Sequence, residues 1–162
     1  MTLKKIISGG QTGVDRAALD AAISLAIQHG GWCPLGRLAE DGRIPDHYLL
    51  EETDSPEYPV RTERNVVQSD ATLILYRSQL GGGTLLTLRL AEEHKKPYLA
   101  VDLEWPLSFA EIRRWLKTNR VEVLNVAGPR ESQSPGIGEM SREFILALFA
   151  TRKRTGSKRP GC

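Results

Sequence analysis

Lys5-Ile6-Ile7-Ser8-Gly9-Gly10-Gln11-Thr12-Gly13-Val14-Asp15-Arg16 decides how the rest of this chain is read. Ile6 and Ile7 are β-branched and apolar, which suits a strand covered on both faces. Gly9, Gly10 and Gly13 follow, and glycine adopts positive φ without steric cost and lets the main chain come close to a ligand. From Thr12 a helical pattern begins, with Val14, Ala17, Ala18, Ala21 and Leu25 on one face, and it is expected to run to about His29. A glycine turn feeding a helix N-terminus offers unpaired N–H groups and the positive end of the helix dipole. That is an anion site, most often for phosphate. The same residues also have a plain structural reading, since Thr12 and Asp15 fit a capping-box-like pair that would only start the helix. The glycines match neither G-x-x-x-x-G-K-[ST] nor G-x-G-x-x-G, so a P-loop kinase and an ordinary dehydrogenase are not indicated.

Outward from this stretch, the chain of 162 residues fits one domain with a sizeable core. A formal net charge of +2 gives no global signal for nucleic acid. The charge is uneven, because Arg152, Lys153, Arg154, Lys158 and Arg159 fall in a tail, 151–162, that holds no acid. Such a basic, Gly/Ser/Pro-containing tail is expected to be disordered, leaving 1–150 as the domain. The N-terminus runs straight into the first strand, and no apolar run is long enough to span a bilayer. Cys33 and Cys162 do not make a disulfide framework. A soluble, cytoplasmic protein with no membrane or nucleic-acid partner is the expectation.

Strand and helix patterns then alternate. Gly30 to Cys33 reads as a short strand. Pro34 to about Pro59 is a long irregular stretch whose charges and aromatics favour an ordered, functional loop. Arg61–Ser69 is helix-compatible, and Ala71–Tyr76 is a buried strand. Leu80–Thr84 is a second glycine turn, leading into a helix to His94. Tyr98–Leu103 is a strand, Ser108–Asn119 a helix with Ser108 and Glu111 as capping box, Val121–Val126 a strand, and Pro135–Ala150 a last helix. This order implies an α/β fold, a Rossmann-like parallel sheet with helices on both faces.

Ligands in such sheets bind beyond the carboxyl ends of the strands. Glycine turns at Ser8–Gly13, Leu80–Thr84 and Asn125–Arg130 should gather on that edge and form a crevice. The turns offer backbone donors and the hydroxyls of Ser8, Thr12, Thr84 and Thr87. Arg16, Arg37, Arg61, Arg64 and Arg130 are candidates for oxyanion contacts. Gln11, Asp15, Asn65, Asp70 and Asn125 could read a heterocycle or ribose, and Trp32 or Tyr48 could stack on a flat ring. His29 and His94 fall near expected helix ends and read as caps. The three histidines are scattered, with no metal-ligand spacing. Cys33 reads as a buried small hydrophobe, with metal ligand or nucleophile as its other reading.

Ser8-Gly9-Gly10-Gln11-Thr12-Gly13-Val14-Asp15-Arg16-Ala17, Gly31-Trp32-Cys33-Pro34, Gly36-Arg37, Ala39-Glu40-Asp41-Gly42 and Ile44-Pro45 together resemble the putative molybdenum carrier family. Arg61-Thr62-Glu63, Asn65-Val66, Ser69-Asp70, Gly82-Gly83-Thr84 and Asn125-Val126-Ala127-Gly128-Pro129-Arg130-Glu131-Ser132 extend the resemblance over about 5–150. It implies a Rossmann-like domain of the superfamily that includes the lonely-guy phosphoribohydrolases. It also implies a carrier that binds the molybdenum cofactor (Mo-molybdopterin), a molybdenum–pterin dithiolene with a terminal phosphate. Such a carrier stores or passes on its cargo, with molybdenum enzymes as recipients, and forms homo-oligomers, dimers or tetramers. The binding set it implies is Gly9, Gly10, Gln11, Thr12, Gly13, Asp15, Arg16, Arg37, Gly82, Gly83, Thr84, Thr87, Asn125, Gly128, Arg130 and Ser132, with no metal ligands from the protein. The phosphoribohydrolases carry G-G-x-G-T-x-x-E, and Thr87 stands where their catalytic Glu would be. A non-catalytic binder is therefore expected. The alternatives are a nucleotide-processing hydrolase using Asp15 or Glu40, and a nucleotide-sensing module.

Overall fold

Ile6 and Ile7 point to opposite faces of the first strand, β1 (Lys5–Ile7), and both are buried, so this strand needs cover on both sides. The computed structural model supplies it, and describes residues 3–150; residues 1–2 and the basic segment 151–162, with Cys162, lie outside the described residues. β1 pairs in parallel with β2 (Gln28–Gly30) on one side and β9 (Val123–Ala127) on the other. β9 pairs in parallel with β7 (Ala71–Tyr76), and β7 with β8 (Tyr98–Asp102). The five-stranded sheet thus runs β2-β1-β9-β7-β8.

The helices are α1 (Val14–Ser24), α2 (Tyr58–Gln68), α3 (Gly82–Glu93), α4 (Phe109–Thr118) and α5 (Ile137–Phe149). The main apolar cluster joins Val14 and Ala18 of α1, Ile112 and Leu116 of α4, and Ile145 and Leu148 of α5 to Ile6, Leu73, Leu75, Leu124 and Val126 of the sheet. A separate cluster joins Val66 of α2 to Leu90 and Ala91 of α3. The two clusters are the two covered faces, and the fold is the expected Rossmann-like α/β domain. The Ser108–Glu111 capping box of α4 is present in both directions.

The segment between β2 and α2 is ordered by small pieces of its own. β3 (Trp32–Cys33) pairs with β6 (Glu51–Glu52), and β4 (Leu38–Ala39) forms a hairpin with β5 (Gly42–Arg43). Cys33, Ile44 and Tyr48 pack with Leu19 of α1 in a third cluster. Burial pushes the Cys33 thiol up, as for a small hydrophobe in the core. Arg37 ties the segment together. It is 8% exposed, and its guanidinium donates to the carbonyls of Ile44 (3.1 Å), Pro45 (2.7 Å), Tyr48 (2.9 Å) and Leu50 (3.4 Å).

Two expectations are corrected here. The first helix stops at Ser24 rather than His29, because Ala26 takes a positive φ of 54° and turns the chain into β2. His29 is therefore a strand residue, and its Nε2 accepts from the Leu49 N–H (3.1 Å) instead of capping a helix. The single strand expected over Gly30–Cys33 is split at Gly31, whose φ is 125° and where a Cβ would fall 2.3 Å from the Ser8 carbonyl oxygen. Past it, the Asn65 side chain stands in for a neighbouring strand, accepting from the Trp32 N–H (2.8 Å) and donating to the Trp32 carbonyl (2.9 Å).

Candidate functional site

β1, β9 and β7 are neighbours, and in a parallel sheet their carboxyl ends open on one edge. The turns that follow them, Ser8–Gly13, Gly128–Arg130 and Arg77–Gly81, therefore meet. They meet closely. A Cβ on Gly128 would lie 2.2 Å from the Leu75 carbonyl oxygen and 2.5 Å from Val14 Cγ2, and one on Gly13 would lie 2.4 Å from the Pro129 carbonyl oxygen. These two glycines are needed for the turns to touch.

Between the turns and helices α2 and α3 lies a cavity of about 310 Å3. Gln11, Asp15, Gly82, Gly83, Thr84, Thr87, Gly128 and Arg130 line it, all residues singled out from the sequence. A small recess beside it is lined by Gly9 and Asn125, with Asp15 and Thr87 shared. Asn125 lies in the sheet itself, its Nδ2 donating to Thr72 Oγ1 at 3.2 Å.

Asp15 and Arg61 form the charged base of the cavity. Asp15 is 4% exposed, and its Oδ2 accepts from the Gln11 N–H at 3.2 Å. Arg61 Nη1 sits 4.0 Å from the same oxygen and donates to Thr62 Oγ1 at 2.8 Å. Burial pushes the Asp15 carboxyl up to about 6, against the opposing pull of Arg61, the Gln11 N–H and Arg16. The Arg61 guanidinium lies against Gly9, where a Cβ would come within 2.8 Å of Cζ, Nε and Nη1. Arg61 Nε is buried without a hydrogen-bond partner. An orphaned buried donor of this kind costs roughly 1–3 kcal/mol, more when charged, so its place at the edge of a cavity calls for an acceptor.

The N-terminus of α3 opens on the same space through Gly82, Gly83 and Thr84. A Cβ on Gly83 would meet nothing within 4 Å, so the first turn is bare. Thr87 Oγ1 donates to the Gly83 carbonyl at 3.0 Å, which commits the hydroxyl to its own helix. The position carries no carboxylate.

Other residues of the expected set are brought to the other side of these turns. Thr12 and Asp15 form no capping box, since the helix N-cap is Gly13 and no side chain caps it. Thr12 Oγ1 instead donates to Glu40 Oε1 and accepts from the Glu131 N–H (3.1 Å). The Ser132 N–H and Oγ–H both donate to the Glu40 carboxylate. Arg16 donates to both carboxylate oxygens of Asp41, at 2.5 and 2.7 Å, and through Nε to the Gly10 carbonyl (3.0 Å). Gly10 is closed in by Ile44 and Leu50, and Arg37 is the hub already described. The physical reason is common to most of them. The β4–β5 hairpin folds across the β1–α1 turn, and its Glu40 and Asp41 absorb these donors. Gln11 Oε1 holds the hairpin there, accepting from the N–H groups of Thr12 (3.1 Å) and Glu40 (2.9 Å). Its hydrogen bonds keep the Glu40 carboxyl below the usual carboxylate range, so Glu40 is an ionised anchor outside the cavity. Arg130 belongs to both sides, lining the cavity while its Nε lies 3.8 Å from Glu40.

Asp70 lies at the amino end of β7, where it accepts from the Glu122 and Val123 N–H groups, on the opposite edge of the sheet. Tyr48 donates to Asp20 (2.7 Å) and Trp32 Nε1 to Gln68 (2.8 Å), and neither lines the cavity. The lining residues absent from the expected binding set are Tyr58, Pro59, Arg61 and Thr62 at the start of α2, Leu86 of α3, Ala127 at the end of β9 and Gln133 beyond the third turn; of these, Arg61 was already among the oxyanion candidates. The α2 residues follow a long irregular segment rather than a strand, so no strand end marks them. Their one signal is the Arg61-Thr62-Glu63 run. Among the described residues, no group of three His, Cys, Asp or Glu is placed to hold a metal ion, and no helix is long and apolar enough to cross a membrane.

The circularly permutated YpsA SLOG family matches residues 6–149 of the chain. The chain is also similar to the crystal structure, at 1.45 Å resolution, of a putative molybdenum carrier protein from Syntrophus aciditrophicus SB, with 46% identity and a TM-score of 0.87. That similarity covers 93% of this chain and 96% of the other. No curated protein matches it.

Proposed function

The chain belongs to the circularly permutated YpsA SLOG family, and from this premise we propose that it is a carrier that binds the molybdenum cofactor in the cavity between α2, α3 and the three glycine turns. The observation that carries this reading is the donor set of the cavity. The bare first turn of α3 and the guanidiniums of Arg61 and Arg130 meet there. Helix N-termini and arginine forks suit a phosphate, with each charge-assisted hydrogen bond contributing roughly 1.5–3 kcal/mol. Tyr58 and Pro59 offer flat faces for a pterin, and Gln11 and Asp15 offer hydrogen bonds to its edge.

The residues present fit the organic part of the cofactor. Among the described residues no thiolate or imidazole lines the cavity, so the protein would hold phosphate and pterin while the metal stays on the cofactor's own sulfurs. Cargo would then pass whole to molybdenum enzymes, from a homo-oligomeric carrier. Titration of the ligand-free protein with the isolated cofactor tests the reading. Binding at micromolar concentration or tighter is expected, and no binding at that level contradicts it. Light scattering on the same sample gives the oligomeric state.

One observation favours a second reading. Asp15, buried at the base of the cavity with its carboxyl near 6 and an arginine beside it, has the character of a general acid or base. A nucleoside monophosphate hydrolase would use it. Release of free base, abolished in Asp15→Asn, would establish that activity. Bound cofactor without turnover supports the carrier.

A further inference from the structure

The cavity does not end at the N-terminus of α3. A second one, of about 420 Å3, opens on the other side of it, between the Arg77–Gly81 turn and the segment from Pro129 to Ser134. Gly82 and Gln133 line both cavities and form the saddle between them. Gln133 Nε2, on an exposed side chain, lies 3.9 Å from where a Gly82 Cβ would be. The two lobes differ in chemistry. The first carries Tyr58, Pro59, Gln11 and Asp15. The second carries the Ser134 hydroxyl and the Gln79 amide, together with Ser78, whose Oγ donates to Glu104 (3.0 Å) and keeps its acceptor face, and Arg77, whose Nε lies 3.6 Å from the same carboxylate.

We infer that the crevice takes a two-part ligand, a pterin and a nucleoside joined through a pyrophosphate, laid across the saddle at Gly82. This deepens the proposed function and rests on it, since it names the dinucleotide form of the cofactor over the mononucleotide form, the pterin that ends in its terminal phosphate. The reasons are size, charge and surface chemistry. Each lobe lies toward the small end of the roughly 300–1,000 Å3 typical of ligand clefts, and each suits one ring system. The saddle is the helix N-terminus, where a pyrophosphate is favoured by the free N–H groups and the helix dipole. The hydroxyls and amide of the second lobe suit a ribose and a base better than a bare phosphate or a metal. A mononucleotide cofactor would fill the first lobe and leave the second to water.

The test titrates the full chain with both forms of the isolated cofactor, in wild type and in Ser134→Trp, which fills the second lobe. The dinucleotide form is expected to bind at least tenfold more tightly than the mononucleotide form. Ser134→Trp should erase that difference and leave the mononucleotide affinity unchanged. Gln79→Trp, at an exposed position on the same lobe, makes the same test if Ser134→Trp melts early. Equal binding of the two forms, or a preference that survives both substitutions, overturns the inference and leaves the carrier reading standing. Failure of both forms to bind overturns the two together.

Discussion

Arg61 Nη1 lies 4.0 Å from Asp15 Oδ2 at the base of the cavity, with the guanidinium resting against Gly9 and its Nε unpaired. An arginine held in this way is half-satisfied by the protein and complete only with an acceptor from outside. Arg61→Ala should weaken cofactor binding by at least tenfold, as expected for a charge-assisted contact of roughly 1.5–3 kcal/mol. Arg61→Lys should recover only part of the loss, because an ammonium cannot present the same planar fork. Calorimetric titration of the two variants checks both.

Asp15 sets a pH dependence. Burial raises its carboxyl from 3.8 to about 6, so between those values the folded protein binds more protons than the unfolded chain. Stability at this residue is therefore fully present below about pH 4 and is lost as pH rises through 6. Asp15→Asn should be more stable than wild type at pH 7, by up to about 3 kcal/mol, with the advantage gone near pH 4. Thermal melts of both proteins across that range give the sign directly.

Gly83 and Gly128 should part company. Gly83→Ala enters open space in the first turn of α3 and should leave stability unchanged or raise it by up to about 1 kcal/mol. Gly128→Ala drives a methyl into the Leu75 carbonyl and should destabilise by about 2 kcal/mol or more. Urea unfolding of each variant makes the comparison. A loss of cofactor affinity in the stable Gly83→Ala would then report close approach of ligand to backbone.

Arg37 is the opposite case from Arg61. It donates to four carbonyls within the 44–50 segment and does not line the cavity. Arg37→Met should cost about 3 kcal/mol of stability or more, since buried carbonyls lose their donor. The affinity of the folded fraction for the cofactor should not change, which titration at low temperature checks.

The parallel sheet and the meeting of the glycine turns were legible because their causes are local, whereas the strand order β2-β1-β9-β7-β8 was not. Ile6-Ile7 and Ala71–Tyr76 can only be buried strands, and glycine runs after strands mark turns. Gly82, Gly83, Thr84, Thr87, Gly128 and Arg130 follow from that reasoning alone. What was not legible came from long-range contacts. Nothing near Arg16, Thr12 or Ser132 in sequence shows that Glu40 and Asp41 will fold over them. Arg16 and Arg61 look alike as residues, and only the hairpin's position ties one to Asp41 on the far side of the turn while the other lines the cavity. The short turn at Ala26 was hidden because an alanine gives no sign of a positive φ.

The most direct measurement is therefore a side-by-side titration of wild type, Arg61→Ala, Gly83→Ala and Arg16→Ala with the molybdenum cofactor. Binding on the cavity side of the turns predicts a loss of at least tenfold in Arg61→Ala, a clear loss in Gly83→Ala and wild-type affinity in Arg16→Ala. Loss in Arg16→Ala with the other two unaffected would place the ligand on the far side of the β1–α1 turn and contradict the account.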